Sequence, residues 1–354
     1  MLYLTLVLCF ILTVLITPLI KKLAFLIGAT DRPNQRKVHQ SIMPRLGGLA
    51  IFVSFLTGVF LLQPENHSSP AILLGCFIIV TTGLLDDLFE LSAKYKLIGQ
   101  LLAALSVVFL GDLEVVFINL PFGGQVQFGL LSIPFTLFWI VGITNAINLI
   151  DGLDGLAAGV SSIALITISG IALIQGNLYV VAVGLIVLTS TLGFLIYNFH
   201  PAKIFMGDTG ALFLGYIISV LSLLGFKNIT FISFVIPVII LGVPISDTVF
   251  AILRRVIQKK PLSAPDKSHL HHCLLRIGYS HRQTVLLIYA MAAFFGLVAV
   301  IYSQAKVGGA IFLIAIVIFF IEILAERIGL VGKNYRPVLN IVETLRTSFA
   351  KGRS

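Results

Sequence analysis

The feature that limits this chain most is a succession of apolar runs, each close to the thickness of a bilayer, from one end to the other. A helix needs ~20 mostly apolar residues to cross the hydrocarbon core. Eleven segments read as candidates: 2–20, 46–63, 71–85, 97–111, 129–150, 158–175, 178–197, 211–225, 229–249, 284–303 and 307–325. Only 11% of the 354 residues are charged, against about 25% in soluble domains. Lipid is therefore the expected solvent. The expected fold is an all-α polytopic membrane protein with about eleven transmembrane helices.

Charge placement orients such a bundle. Of the 24 Lys and Arg residues, 22 fall on the side that carries residues 21–45, and only Lys227 and Lys306 fall on the other. Cytoplasmic loops are enriched in Lys and Arg. The basic side is thus expected in the cytoplasm, with the N-terminus outside and the C-terminus inside. The net charge of +9 then reads as a topology signal, and nucleic acid is not an expected partner. Cys9, Cys76 and Cys273 have no paired spacing and suggest neither a disulfide framework nor a zinc site. The first apolar run has no basic n-region or small-residue cleavage site and is read as a retained helix. No linker divides the chain. A single catalytic membrane domain is expected over 1–325, with cytoplasmic loops 21–45, 86–96, 151–157, 198–210 and 250–283, then a basic tail over 326–354. The 112–128 segment alternates apolar residues, as a short external hairpin would.

The acids share this asymmetry, although Asp and Glu contribute little to orientation. Of fifteen, only Glu65, Asp112 and Glu114 fall on the external side. Asp86-Asp87 ends an apolar run at the membrane boundary, where repulsion and desolvation favour a cation or basic ligand. A solvated helix end explains that pair equally well. The string Asn145-Ala-Ile-Asn148-Leu-Ile-Asp151-Gly-Leu-Asp154-Gly-Leu places polar groups at helical spacing as they leave the bilayer, which is costly unless they are used. Tyr197-Asn198-Phe199-His200-Pro201 leads into Phe205-Met206-Gly207-Asp208 at the head of another span. Asp208 suits a metal ligand or a simple helix cap, and Phe205 a stacking surface or a membrane anchor. Arg36, Lys37 and His39, with Arg45-Leu-Gly47-Gly48, suit phosphate oxygens but are equally ordinary positive-inside anchors. His269-Leu270-His271-His272 lacks the partners of a zinc site and suits phosphate contact or proton transfer. Carboxylates, cations and histidines from five loops thus meet one membrane face, as phosphoryl transfer to a lipid phosphate requires.

At these motifs the chain resembles the polyprenyl-phosphate N-acetylhexosamine-1-phosphate transferase family, from Asp31 to His272. The Asn-Ala-Ile-Asn-Leu-Ile-Asp-Gly-Leu-Asp string and His-Leu-His-His most resemble its teichoic-acid initiating branch. The resemblance implies catalytic roles for Asp86, Asp87, His271 and His272, with Asp208 and Asp87 at Mg²⁺ (or Mn²⁺ as substitute). It implies substrate contacts from Asp151, Asp154, Asn198 and Phe205, and the residue patterns above add Asn148, His269, Arg36, Lys37 and His39 as candidates. The implied reaction takes GlcNAc-1-phosphate from UDP-GlcNAc to undecaprenyl phosphate and releases UMP, at the cytoplasmic face of a bacterial plasma membrane. His-Leu-His-His in place of three consecutive histidines disfavours a MurNAc-pentapeptide donor; other UDP-hexosamines stay open, as does a homodimer. A transporter or flippase of anionic lipid or nucleotide sugar is the rival reading, and it would place binding groups near the bilayer midplane.

Overall fold

The computed structural model describes residues 1–31, 42–119, 124–226, 231–261, 268–330, 337, 338 and 340. Apolar sequence with internally satisfied backbone gives helices: α1 (Leu2–Leu26), α2 (Gly47–Leu62), α3 (Ser69–Phe89), α4 (Ala93–Gly111), α5 (Ser132–Ile150), α6 (Leu156–Ile174) and α7 (Leu178–Asn198). They continue through α8 (Gly207–Phe226), α9 (Phe231–Ile240), α10 (Gly242–Ile257), α11 (Leu270–Ile277), α12 (His281–Ser303) and α13 (Val307–Ile328). Nine helices among the described residues are long and apolar enough to cross a membrane. The chain is an all-α polytopic membrane protein. At one end β1 (Thr30–Asp31) pairs antiparallel with β2 (Met43–Pro44). At the other, β3 (Phe117–Asn119) pairs with β4 (Gln125–Gln127), the hairpin expected in 112–128.

Two expected spans take other forms. The second is the 16-residue α2. The ninth, expected unbroken over 229–249, is split into α9 and α10 at Leu241. Pro244 has no N–H to continue the helical ladder across that point, and Gly242 packs so closely on the Phe295 ring that a Cβ there would lie 3.0 Å from it. Beyond the break, α10 turns Asp247 and Arg254 inward, 2% and 4% exposed, and leaves Val249, Leu253, Val256 and Ile257 exposed. That face is the reverse of a soluble helix and fits lipid.

Helix α8 is the axis of the bundle. Its apolar window is 89% buried, against 11% for α13, and it packs on α3, α5, α2 and α6. Glycine permits the closest approaches. A Cβ on Gly48 would lie 2.0 Å from the Gly210 nitrogen, and one on Gly83 would lie 2.5 Å from the Thr209 Cα. Helices α2 and α3 therefore press backbone to backbone on the first turn of α8, and Asp208 stands in that turn. Several helices also run past their expected ends. Asp86 and Asp87 fall in the last turn of α3, which reaches Phe89, and α13 runs to Ile328.

Candidate active site

The end of α3, the starts of α4, α8, α11 and α12, and the turns α5–α6 and α7–α8 lie at one end of the bundle. The starts of α8, α11 and α12 and the two turns bound a cavity of about 560 Å³ lined by Asp31, Arg45, Asp151, Asp154, Asn198, His200, Phe205, Asp208, His271, His272 and His281, among others.

A cluster of charge meets it at Asp208 and Arg45. The Lys96 ammonium donates to Asp208 Oδ2 at 2.8 Å and to Asp86 Oδ2 at 3.4 Å. One cation thus sits between two carboxylates from separate helices. Asp87 is used differently. Its Oδ1 accepts from the Asp208 amide at 2.9 Å, and its Oδ2 accepts from the Thr209 amide at 3.0 Å and from Thr209 Oγ1 at 2.7 Å. It therefore caps the N-terminus of α8 from the neighbouring helix, where an anion is favoured by the exposed amides and the helix dipole. Arg45 Nη2 lies 3.5 Å from Asp87 Oδ1, and Arg45 Nη1 lies 3.9 Å from Asp31 Oδ1. Burial opposes the Arg45 charge, but the carboxylates of Asp87, Asp208, Asp31 and Asp86 outweigh it and hold the guanidinium protonated.

The α5–α6 turn lines the cavity with Asp151, Gly152, Leu153 and Asp154. Asp151 caps the end of α5. Burial, with the nearby charges of Asp208 and Asp87, pushes its carboxyl up to about 7. The folded chain therefore binds this proton more tightly than the unfolded chain, so stability falls as pH rises from about 4 towards 7. Without substrates or divalent cations, the unfolding midpoint should fall over that window, and Asp151→Asn should flatten the slope. Equal slopes for both proteins would contradict the assignment.

Asn198 stitches two loops together: its Oδ1 accepts from Gly155 N at 3.1 Å and its Nδ2 donates to Ile204 O at 3.0 Å. Asp154 Oδ2 accepts from Ala202 N at 3.1 Å and pairs with His200 Nδ1 at 2.8 Å. Asp154, His200 and His281 bring potential ligand atoms within 4.8 Å of one another. The two rings stack at 4.1 Å and 20°, so their in-plane lone pairs run side by side instead of converging on one ion. That geometry suits a rigid wall better than a metal seat. His271 is buried and packs on Gly152, where a Cβ would lie 2.4 Å from its Nε2. Burial and then the neighbouring His272 push it down to about 3, so it is a neutral hydrogen-bonding group near neutral pH.

The expected residues thus divide. Asp151, Asp154, Asn198, Phe205, Asp208, His271 and His272 line one cavity, whereas Asp86 and Asp87 do not line it and connect to it through Lys96 and the Asp208 amide. Asn148 and His269 do not line that cavity. Asn145, in the same string, exchanges hydrogen bonds with Gln100 at 2.7 and 3.2 Å. His269 is buried against Asp247. Arg36, Lys37 and His39 lie outside the described residues. The sequence reading gave no site role to Lys96, His200 or His281. Lys96 counted there only as a topological charge, although its position ten residues after Asp86, across a helix turn, was the available signal.

Residues 69–226 match the family described as glycosyl transferase family 4. The chain is 29% identical over 312 residues to the undecaprenyl-phosphate alpha-N-acetylglucosaminyl 1-phosphate transferase of Yersinia pestis, covering 84% of this chain and 85% of that protein. It is 37% identical over 342 residues to the decaprenyl-phosphate N-acetylglucosaminephosphotransferase of Mycobacterium leprae (strain TN), covering 87% and 86%. It is 52% identical over 340 residues to the probable undecaprenyl-phosphate N-acetylglucosaminyl 1-phosphate transferase of Bacillus subtilis (strain 168), covering 95% and 94%. This chain belongs to the polyprenyl-phosphate N-acetylhexosamine-1-phosphate transferase family. It is an enzyme of that class.

In this transferase Lys96 is the one cation touching both Asp86 and Asp208 among the described residues. Lys96→Met keeps the packing of the stem and deletes the charge. It should lower turnover about 10²-fold, the scale of losing one preorganised charge contact, when assayed below an unfolding midpoint that falls because Asp86 and Asp208 are left facing each other without their cation. Turnover within twofold of the parent enzyme would remove Lys96 from the site.

Proposed function

We propose that this enzyme transfers GlcNAc-1-phosphate from UDP-GlcNAc to undecaprenyl phosphate, with Mg²⁺, and releases UMP. The observation that carries this reading is the Asp86–Lys96–Asp208 cluster at the ends of three helices, whose Asp208 lines a nucleotide-sized cavity. A lipid phosphate can present its oxygen only at headgroup depth, and the cluster stands in the last turn of α3 and the first turns of α4 and α8, at span ends. The 22-to-2 distribution of Lys and Arg supports a cytoplasmic site in a bacterial plasma membrane, an external N-terminus and a cytoplasmic C-terminus. It also supports eleven crossings, counting α2 and the broken α9–α10 pair. The product would begin wall teichoic acid or a related envelope polysaccharide. The named substrates of the Bacillus subtilis and Yersinia pestis relatives support the lipid and the hexosamine.

The donor set fits magnesium. Asp208 and Asp86 each offer a carboxylate oxygen within reach of one cation, since Lys96 touches both. Hard oxygen donors, few in number and completed by water and phosphate, are what Mg²⁺ takes. Both Asp87 oxygens are engaged by the α8 amides, Thr209 and Arg45, so Asp208 with Asp86 is the better pair and Asp87 positions them. When bound there, the ion would neutralise the pyrophosphate charge that develops as the bond to UMP breaks. Lys96 and Arg45 add positive charge to the same cluster. Neutral His271 and its neighbour His272 face the cavity as hydrogen-bonding groups for the phosphates, Asp151 and Asp154 line the nucleoside side, and Phe205 offers a face for the uracil ring.

Purified protein should release UMP from UDP-GlcNAc only when polyprenyl phosphate and a divalent cation are both present. A donor panel of UDP-GlcNAc, UDP-GalNAc and UDP-MurNAc-pentapeptide, read by mass of the lipid product, fixes the sugar. Flux across vesicles without UMP formation would overturn the proposal.

A further inference from the structure

We infer that Asp247 is a positioning residue for this reaction, acting through His269 to hold the histidine helix against the cavity. The inference rests on the proposed function, because it concerns how His271 and His272 reach the donor phosphates.

Helix α11 has eight residues and its N-cap, His269, makes no side-chain capping bond of its own. An isolated helix that short is unstable in water, so something outside it must decide where its first turn stands. Asp247, from α10, does so with both oxygens. Oδ1 accepts from the Leu270 amide at 2.8 Å, and Oδ2 pairs with His269 Nδ1 at 2.9 Å. Asp247 is 2% exposed and His269 6% exposed. The next two residues on that turn are His271 and His272, which line the cavity. The His269 ring lies parallel to that of His271, 4° apart with centroids at 6.1 Å, so a tilt of one ring is passed to the next.

The chemistry of the pair explains why a carboxylate stands there. An ionised Asp only accepts hydrogen bonds. It therefore fixes the His269 proton on Nδ1 and locks the ring plane, as carboxylates do behind working histidines in other enzymes. His269 itself faces Asp247 and does not line the cavity. Its expected role as a substrate contact is replaced by that of a latch between α10 and α11.

Asp247→Asn is nearly isosteric. Its remaining oxygen can still serve the Leu270 amide, but its NH₂ faces a nitrogen that must then give up its proton. The expected result is a kcat about 30-fold lower, with KM for UDP-GlcNAc and for undecaprenyl phosphate within about threefold and an unchanged unfolding midpoint. His269→Asn places an amide N–H where Nδ1–H was and should retain most of the activity, whereas His269→Ala should match Asp247→Asn. The double variant Asp247→Asn/His269→Ala should be no worse than either single one. In ¹⁵N-histidine-labelled protein, a His269 Nδ1–H resonance should be present in the parent and lost in Asp247→Asn. The inference is overturned if Asp247→Asn turns over like the parent, if its loss follows a lower unfolding midpoint, or if His269→Asn is as damaging as His269→Ala. Absence of the Nδ1–H resonance from the parent overturns it regardless of activity. A parent enzyme that keeps the resonance but releases no UMP would instead sink the proposed function.

Discussion

Asp208→Asn is expected to reduce UMP release on the order of 10³-fold while leaving the unfolding midpoint where it was. The substitution keeps the size and one oxygen of the side chain but removes the charge at the head of α8. Asp208 Oδ2 is the closer of the two carboxylate contacts to Lys96, at 2.8 Å, and its side chain is 16% exposed towards the cavity. It is thus reachable by substrate, and the loss of its pair with Lys96 is offset by the loss of its repulsion towards Asp86, Asp87 and Asp151. The Asp208 backbone amide, not its carboxylate, is bonded to Asp87. Loss of activity should therefore come without loss of fold. A variant that releases UMP at a tenth of the parental rate or better would show that Asp208 is only a helix-start acid.

Asp87→Ala should behave differently, because Asp87 has a different job. Its removal orphans the amides of Asp208 and Thr209 and the Thr209 hydroxyl, and takes a partner from Arg45. Its side chain is fully buried, so water cannot substitute. Deleting one partner of a buried charged network costs about 3–5 kcal/mol, a large share of a typical 5–15 kcal/mol of stability. The variant should unfold at a clearly lower temperature and be inactive. Asp87→Asn should fall between, since its amide group presents donors to donors on α8. Normal stability with lost activity in Asp87→Ala would mean that Asp87 is a direct ligand and not the cap that the hydrogen bonds describe. The pair of experiments separates Asp87 from Asp208, which look alike as bare carboxylates.

Much of this was legible before any coordinates. Apolar runs dictate helices in lipid, and the unequal distribution of acids pointed to one face. Asp151, Asp154, Phe205, Asp208, His271 and His272 do share one cavity. What stayed hidden depends on tertiary contact. The sequence cannot separate the α8 cap from a metal ligand, because Asp87 finds its partners 121 and 122 residues away. Lys96 was absorbed into the positive-inside count, since a basic residue at a helix start carries the same sign whether it anchors the helix or binds a phosphate. The Asp247–His269 pair joins α10 to the N-cap of α11, 22 residues further on. Average apolarity over 229–249 conceals the missing N–H of Pro244. Asn198 read as a substrate contact through the family resemblance, and the structure uses both of its ends on backbone.

The central claim is that Asp208 and Asp86 seat a divalent cation beneath the donor pyrophosphate. Electron paramagnetic resonance of Mn²⁺ bound to the purified enzyme in the presence of UDP-GlcNAc tests it most directly. The account predicts one tightly held Mn²⁺ with phosphorus hyperfine coupling, lost in Asp208→Asn and retained in His200→Ala. A Mn²⁺ signal that survives Asp208→Asn unchanged, or that shows no phosphorus nearby, would contradict it.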